Sequence, residues 1–285
     1  MTARERIGFM QGRLSPMVDG RIQAFPWASW QDEFRSAAQN GLPLMEWTLD
    51  QERLYENPLL TAHGQKEIRE LCGQHEVAIP SLTGDCFMQA PFWKASGERA
   101  AALEADFMAI AGACAAVGIG MIVVPLVDNG RLDERAQEDA LIVFLEARAE
   151  FFSTHGLRVI FESDFPPGEL ARFIGRLAPG LFGINYDIGN SAALGFRPQE
   201  EFAAYGHRIV NVHVKDRVHG GTTVPLGSGS ADFAAVFTAL QRSGYRGNFI
   251  LQTARAANGN DAEVLCAYRD LVTGWIRQYG LEASL

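Results

Sequence analysis

What most constrains the fold of this chain is an alternation that runs its full length: short apolar segments bounded by Gly and Pro, each followed by a longer amphipathic one. The pattern predicts strands at Ile7–Gln11, Leu42–Thr48, Val77–Leu82, Met121–Val127, Leu157–Glu162, Phe182–Asp187, Ile209–Lys215 and Asn248–Thr253. Helices are expected at Ser29–Asn40, Gln65–His75, Ser96–Val117, Leu132–His155, Gly168–Leu177, Gln199–Tyr205, Ala231–Ser243 and Ala262–Tyr279. Gly41, Gly118, Gly156 and Gly244 directly follow helical patterns, where a left-handed residue ends a helix before the next strand. Eight strand–helix units predict an α/β protein, a closed (β/α)8 TIM barrel forming a single domain over residues 1–285, rather than an open doubly wound sheet. No Gly-x-Gly-x-x-Gly follows the first strand, where a dinucleotide-binding fold would carry it.

Composition narrows the partners. With 25 basic and 34 acidic residues the net charge is −9, which disfavours nucleic acid and anionic lipid, since both are gripped by clustered Lys and Arg. Cys72, Cys86, Cys114 and Cys266 are too scattered for a metal pair or a disulfide framework and read as reduced thiols. The apolar run near the N-terminus stops at Arg13, short of a signal peptide's hydrophobic region, and no stretch reaches the roughly 18 apolar residues of a membrane helix. A cytoplasmic protein is expected.

In such a barrel the chemistry sits at the C-terminal ends of the strands. Strand five ends in Glu162, strand six in Asp187, strand seven carries His213, and strand eight ends at Gln252. Adjacent strands lie about 4.8 Å apart, so inward side chains at one level converge. Oxygen and nitrogen donors without a thiolate suit Mn²⁺, Mg²⁺, Co²⁺ or Zn²⁺. The plainer alternative is that each is an isolated strand-end residue bonded to a loop backbone.

Taken in order, Phe-Glu162-Ser-Asp, Tyr-Asp187-Ile-Gly-Asn190, Val-His213-Val-Lys-Asp-Arg217, Pro225-Leu-Gly-Ser-Gly229-Ser-Ala-Asp232-Phe and Leu-Gln252-Thr-Ala-Arg255 resemble the xylose-isomerase-like superfamily of TIM barrels. That superfamily holds sugar and sugar-phosphate isomerases and epimerases, tagatose 3-epimerase and hydroxypyruvate isomerase among them. The resemblance implies a divalent metal held by Glu162, Asp187, His213 and Gln252, and proton-transfer chemistry through an enediolate on a hydroxy-carbonyl sugar. Epimerases of the family carry a second glutamate where this chain has Gln252 and a histidine where it has Asn190. Gln252 offers a ligand oxygen but accepts no proton. Glu162 is then the base, with Gln252 and Lys215 completing the catalytic set. One carboxylate fewer also weakens the pull on a cation, so a degenerate sugar-binding barrel stays open beside the isomerase, as does a keto-sugar dehydratase or lyase needing one base.

Substrate contacts are expected from Arg13, Glu46, Asn190, Arg217 and Arg255 around the barrel mouth. Arg13, Lys215, Arg217 and Arg255 favour an acidic or phosphorylated sugar; the alternative is that the Arg residues balance nearby carboxylates. Glu46 has the parity to point inward, either to substrate or to an ion pair. The long loop after strand one, with Arg13, Gln23, Phe25 and Trp27, either covers the mouth or is anchored by its buried aromatics. Asp85, Phe87, Phe92 and Trp93 pose the same choice in the loop after strand three. The 227–230 Gly-Ser-Gly-Ser run offers phosphate-binding N–H groups or a plain helix entrance led by Asp232. Exposed aromatics at the rim point to a homo-oligomer. An abasic-site endonuclease, which shares the barrel, is disfavoured by six histidines and the acidic charge.

Overall fold

A computed structural model describes residues 2–282. Its strands are β1 (Ile7–Met10), β2 (Leu44–Thr48), β3 (Ala78–Thr83), β4 (Met121–Leu126), β5 (Arg158–Ser163), β6 (Phe182–Asp187), β7 (Ile209–Val214), β8 (Asp216–Arg217), β9 (Thr223–Val224) and β10 (Asn248–Leu251). Eight of them close a parallel barrel in the order β1-β10-β7-β6-β5-β4-β3-β2, and β8 pairs antiparallel with β9 beyond the end of β7. The barrel is the one the alternation predicts, with each of the eight strands within two residues of its expected bounds.

The helices are α1 (Trp30–Gln39), α2 (Ala62–His75), α3 (Asp85–Gln89), α4 (Gly97–Val117), α5 (Arg135–Glu146), α6 (Ala149–Thr154), α7 (Pro167–Gly175), α8 (Ile188–Leu194), α9 (Pro198–Tyr205), α10 (Phe233–Arg242) and α11 (Asp261–Gln278). Three details depart from expectation. The segment expected as one helix over Leu132–His155 is two, because Arg148 leaves helical geometry and its guanidinium takes the carbonyl of Phe144 at 3.0 Å. No Gly or Pro marks that break. The short helices α3 and α8 follow β3 and β6 directly. α8 starts because the Asp187 carboxylate accepts the Asn190 N–H at 2.8 Å, an N-cap supplied by a strand-end residue.

The outer layer is closed by aromatics. Phe107 of α4 lies 4.6 Å from Phe87, 5.1 Å from Phe144 and 6.3 Å from Phe152, measured between ring centroids. By length and composition alone α4 is apolar enough to cross a bilayer, although Glu104 and Asp106 interrupt its apolar run well short of 18 residues. Its Phe107, Ile110, Ala111 and Cys114 nonetheless pack into the barrel wall, while Glu104 and Asp106 bond Arg148 and Tyr55. Inside the barrel a polar layer replaces the usual branched aliphatics: Glu46, Ser81, Thr83, Asn185, Asn211 and His213 are all buried. Such a layer persists only if its members bond one another.

The loop after β1 is fixed from below. The buried Glu33 of α1 accepts the N–H groups of Gly12 at 2.9 Å and Leu14 at 3.0 Å, and Phe25 packs edge-to-face on Trp27 and at a tilt against Trp47. Thus anchored, the loop carries Arg21, Ile22 and Gln23 over the barrel mouth.

Candidate active site

Period-two alternation along β6 and β7 points Asn185, Asp187, Asn211 and His213 into the barrel, and the register sets Asn185 beside Asn211 and Asp187 beside His213. One ligand atom from each of Glu162, Asp187 and His213 falls within 4.8 Å of the others. The mouth above is a cavity of about 560 Å³ whose lining includes Glu162, Asn190, Lys215, Arg217 and Gln252.

The His213 ring is held at both nitrogens. Nε2 lies 2.7 Å from Glu46 Oε1, and Nδ1 lies 3.1 Å from Glu162 Oε2 and 3.0 Å from Asn185 Nδ2. Burial works against charge on the ring, but Glu46 and Glu162 outweigh it and push its pKa up to about 10. Glu46 itself, which burial alone would raise, is held below its ordinary value by His213 and by the hydroxyls of Ser81 and Thr83. Asn211 Nδ2 adds a fourth donor to Glu46 at 3.1 Å. Glu46 therefore lies beneath the cavity, not in it. The expectation that it meets substrate is corrected to a role holding His213.

Glu162 is gripped from both sides, Oε1 by Asn190 Nδ2 at 2.6 Å and Oε2 by Asn185 Nδ2 at 3.0 Å. Arg217 donates to Asn190 Oδ1 at 2.8 Å and spends its other nitrogens on the Gly221 carbonyl. Lys215 Nζ sits between Asp187 Oδ2 at 3.0 Å and Gln252 Oε1 at 3.2 Å. Gly189 permits this approach, since a Cβ there would stand 2.7 Å from Lys215 Cγ. Gln252 Nε2 then donates to Gln23 Oε1 at 2.8 Å, and Gln23 Nε2 to Asp85 Oδ2 at 2.8 Å.

Two expected anion contacts point elsewhere. Arg13 is buried and donates to the carbonyls of Thr253 at 3.0 Å and Ile22 at 2.6 Å. Arg255 bonds Ser15 O at 2.8 Å and Asp261 at 2.9 Å. Neither lines the cavity, because backbone carbonyls of the folded loops claim their donors first. The Gly-Ser-Gly-Ser run is likewise engaged: the N–H groups of Gly227 and Gly229 at 2.9 Å and of Ala231 at 3.1 Å all go to the Asp216 carboxylate. Asp232 caps α10 through Ala235 N–H at 2.9 Å. The charged lining is Arg21, Lys215 and Arg217 against Asp50, Asp85, Asp128, Glu162 and Asp164.

Sequence reasoning missed the supporting residues Asn185, Asn211, Ser81 and Thr83. The first two had a signal, standing two residues before Asp187 and His213 and so on the same face. Ser81 and Thr83 lie within β3, where no expected site residue stood beside them to mark the face.

A barrel with a carboxylate–carboxylate–imidazole cluster at the C-terminal ends of β5, β6 and β7 defines a class, and the comparisons agree with it. The model of the xylose isomerase-like TIM barrel family matches residues 34–271, and the chain belongs to that family. It is 36% identical over 101 residues to the L-ribulose-5-phosphate 3-epimerase UlaE of Salmonella paratyphi C, a match spanning 35% of this chain and 36% of that protein. The fold is similar to that of 3-keto-D-glucoside 4-epimerase YcjR from E. coli, with a TM-score of 0.67 at 18% identity over 96% of this chain and 99% of that one. It is similar also to a xylose isomerase-like TIM barrel protein from Mycobacterium smegmatis in complex with magnesium, with a TM-score of 0.70 at 16% identity over 98% and 99% of the two chains.

Proposed function

We propose that this chain is a cytoplasmic, divalent-metal-dependent sugar or sugar-phosphate isomerase or epimerase, with Glu162 as the base that removes a proton from the carbon beside a carbonyl. The observation that carries the reading is the convergence of Glu162, Asp187 and His213, with Glu162 itself in the lining of a sugar-sized cavity. The donor set fits a hard or borderline ion such as Mn²⁺, Mg²⁺, Co²⁺ or Zn²⁺, with Gln252 Oε1, already oriented toward a cation, as the fourth ligand. Glu46 fits the same reading: accepting from Nε2 leaves Nδ1 as the nitrogen turned to the cluster, the arrangement by which an outer carboxylate orients a ligating imidazole. A bound ion would supply Lewis-acid polarisation of the substrate carbonyl.

The chain's own residues account for the rest. Asn185 and Asn190 fix both oxygens of Glu162, so its carboxylate is aimed rather than free to rotate, and Arg217 fixes Asn190 in turn. Lys215 and Arg217 line the mouth as donors to hydroxyl or anionic oxygens. Five carboxylates against three cations around that cavity favour a neutral ketose over a dianion, or a phosphate placed at the Arg21 end. The four free thiols fit a reducing compartment.

One observation favours a second reading, a sugar-binding barrel without turnover: the Lys215 ammonium already bridges Asp187 and Gln252, where a cation would lie. Metal analysis of the purified protein, with deuterium uptake from D₂O into D-fructose, D-tagatose and L-ribulose 5-phosphate, separates the two. The enzyme reading expects a bound divalent ion and exchange that disappears in Glu162→Gln. Sugar binding with no exchange under any of the four metals selects the binding protein.

A further inference from the structure

Epimerisation at one carbon needs two proton-transfer groups on opposite faces, and position 252 cannot supply the second. We infer that Asp85, at the first turn of α3 and in the wall of the same cavity as Glu162, is the second proton-transfer carboxyl, coupled to Gln252 through Gln23. This rests on the isomerase reading above and adds a residue to it.

A hydrogen-bond relay of fixed polarity runs from Lys215 through Gln252 and Gln23 to Asp85. Lys215 Nζ only donates, so Gln252 must present Oε1 to it and Nε2 to Gln23. Gln23 therefore accepts with Oε1 and donates with Nε2, and Asp85 Oδ2 is the acceptor at the end of the line. Asp85 Oδ1 has no hydrogen-bond partner among the described residues, which leaves it for substrate. A glutamate at 252 would take Gln23's N–H and turn Gln23 Oε1 toward Asp85, setting oxygen against a carboxylate. The relay thus accommodates one ionised carboxylate, at one end or the other, and with Gln at 252 that end is Asp85. Burial pushes the Asp85 carboxyl up to about 7, with the charges of Asp50 and Glu162 adding to the rise and Gln23 and Lys215 opposing it. A group near that value both gives and takes a proton at neutral pH.

The step balances. Glu162 takes the proton from the carbon beside the carbonyl, and the C–H electron pair becomes the enediolate. The Asp85 acid then delivers its proton to the opposite face of that carbon and the carbonyl re-forms. Glu162 afterwards releases its proton to water and Asp85 regains one.

The test follows wild type, Asp85→Asn and the Asp85→Asn/Gln252→Glu double variant in D₂O, with Mn²⁺, Mg²⁺, Co²⁺ or Zn²⁺ supplied in turn. D-fructose, D-tagatose and L-ribulose 5-phosphate are the probes, and NMR reads loss of the substrate C–H signal and growth of the epimer separately. Asp85→Asn is expected to keep exchange, which needs Glu162 alone, and to lose epimer formation about a hundredfold or more. Moving the carboxyl to 252 in the double variant is expected to recover the epimer. Epimer formation at the wild-type rate in Asp85→Asn, or joint loss of exchange and epimer without recovery in the double variant, overturns the role of Asp85 alone. Absence of exchange in the wild type overturns the isomerase reading itself.

Discussion

At the scale of single residues, the centre depends on a carboxylate that touches no substrate. Glu46 accepts four hydrogen bonds, from Ser81, Thr83, Asn211 and His213. An amide in its place must turn an N–H₂ group toward at least one donor, so Glu46→Gln loosens the imidazole without opening a void. Divalent-ion affinity should fall about ten- to hundredfold, the range expected for an outer-shell orienting group. Titration calorimetry with Mn²⁺ measures this, and circular dichroism checks that the fold is intact. Unchanged affinity would remove Glu46 from the site. Only part of this was legible in the sequence. Glu162, Asp187 and His213 announce themselves as polar residues ending apolar strands. Glu46 shows inward parity but not its partner, because His213 lies 167 positions away in the chain.

At the scale of elements, α1 and the loop after β1 act as one unit through Glu33. Burial lifts the Glu33 carboxyl from an ordinary 4.5 to about 7, against the lowering effect of the Gly12 and Leu14 N–H groups. Between those values the folded protein holds a proton that the unfolded chain has released. This contribution to stability is therefore full below pH 4.5 and is lost as the pH rises to 7. Glu33→Gln should flatten that part of the pH–stability profile in urea melts; an unaltered slope would assign it to another group. The same loop shows why Arg13 was misplaced. An arginine following a strand end reads as a mouth residue, yet the folded loop turns it inward onto the carbonyls of Thr253 and Ile22. Arg255 and the 227–230 run fail for the same reason: backbone groups and Asp216 engage them before any ligand does.

At the scale of the whole molecule, the proposed metal joins strands from three successive units of one barrel, so binding should stabilise the domain as a unit. A divalent ion at a hundred times its Kd adds about 2.7 kcal/mol to the folded state. The thermal unfolding transition of this 285-residue chain should move up by several degrees on adding Mn²⁺ and return with a chelator. An unmoved transition would count against the centre. By itself the sequence determined the architecture, since strand and helix periods are local and every unit repeats them. It also determined which strand ends carry ligand-type side chains, because strand parity is local too. Only the tertiary structure decided which charged groups remain available. Arg13 and Arg255 against Gln23 and Asp85 is a matter of which loop carbonyl or amide lies within about 3 Å once the barrel closes, and hydrogen bonds between residues hundreds of positions apart leave no periodic trace in the chain.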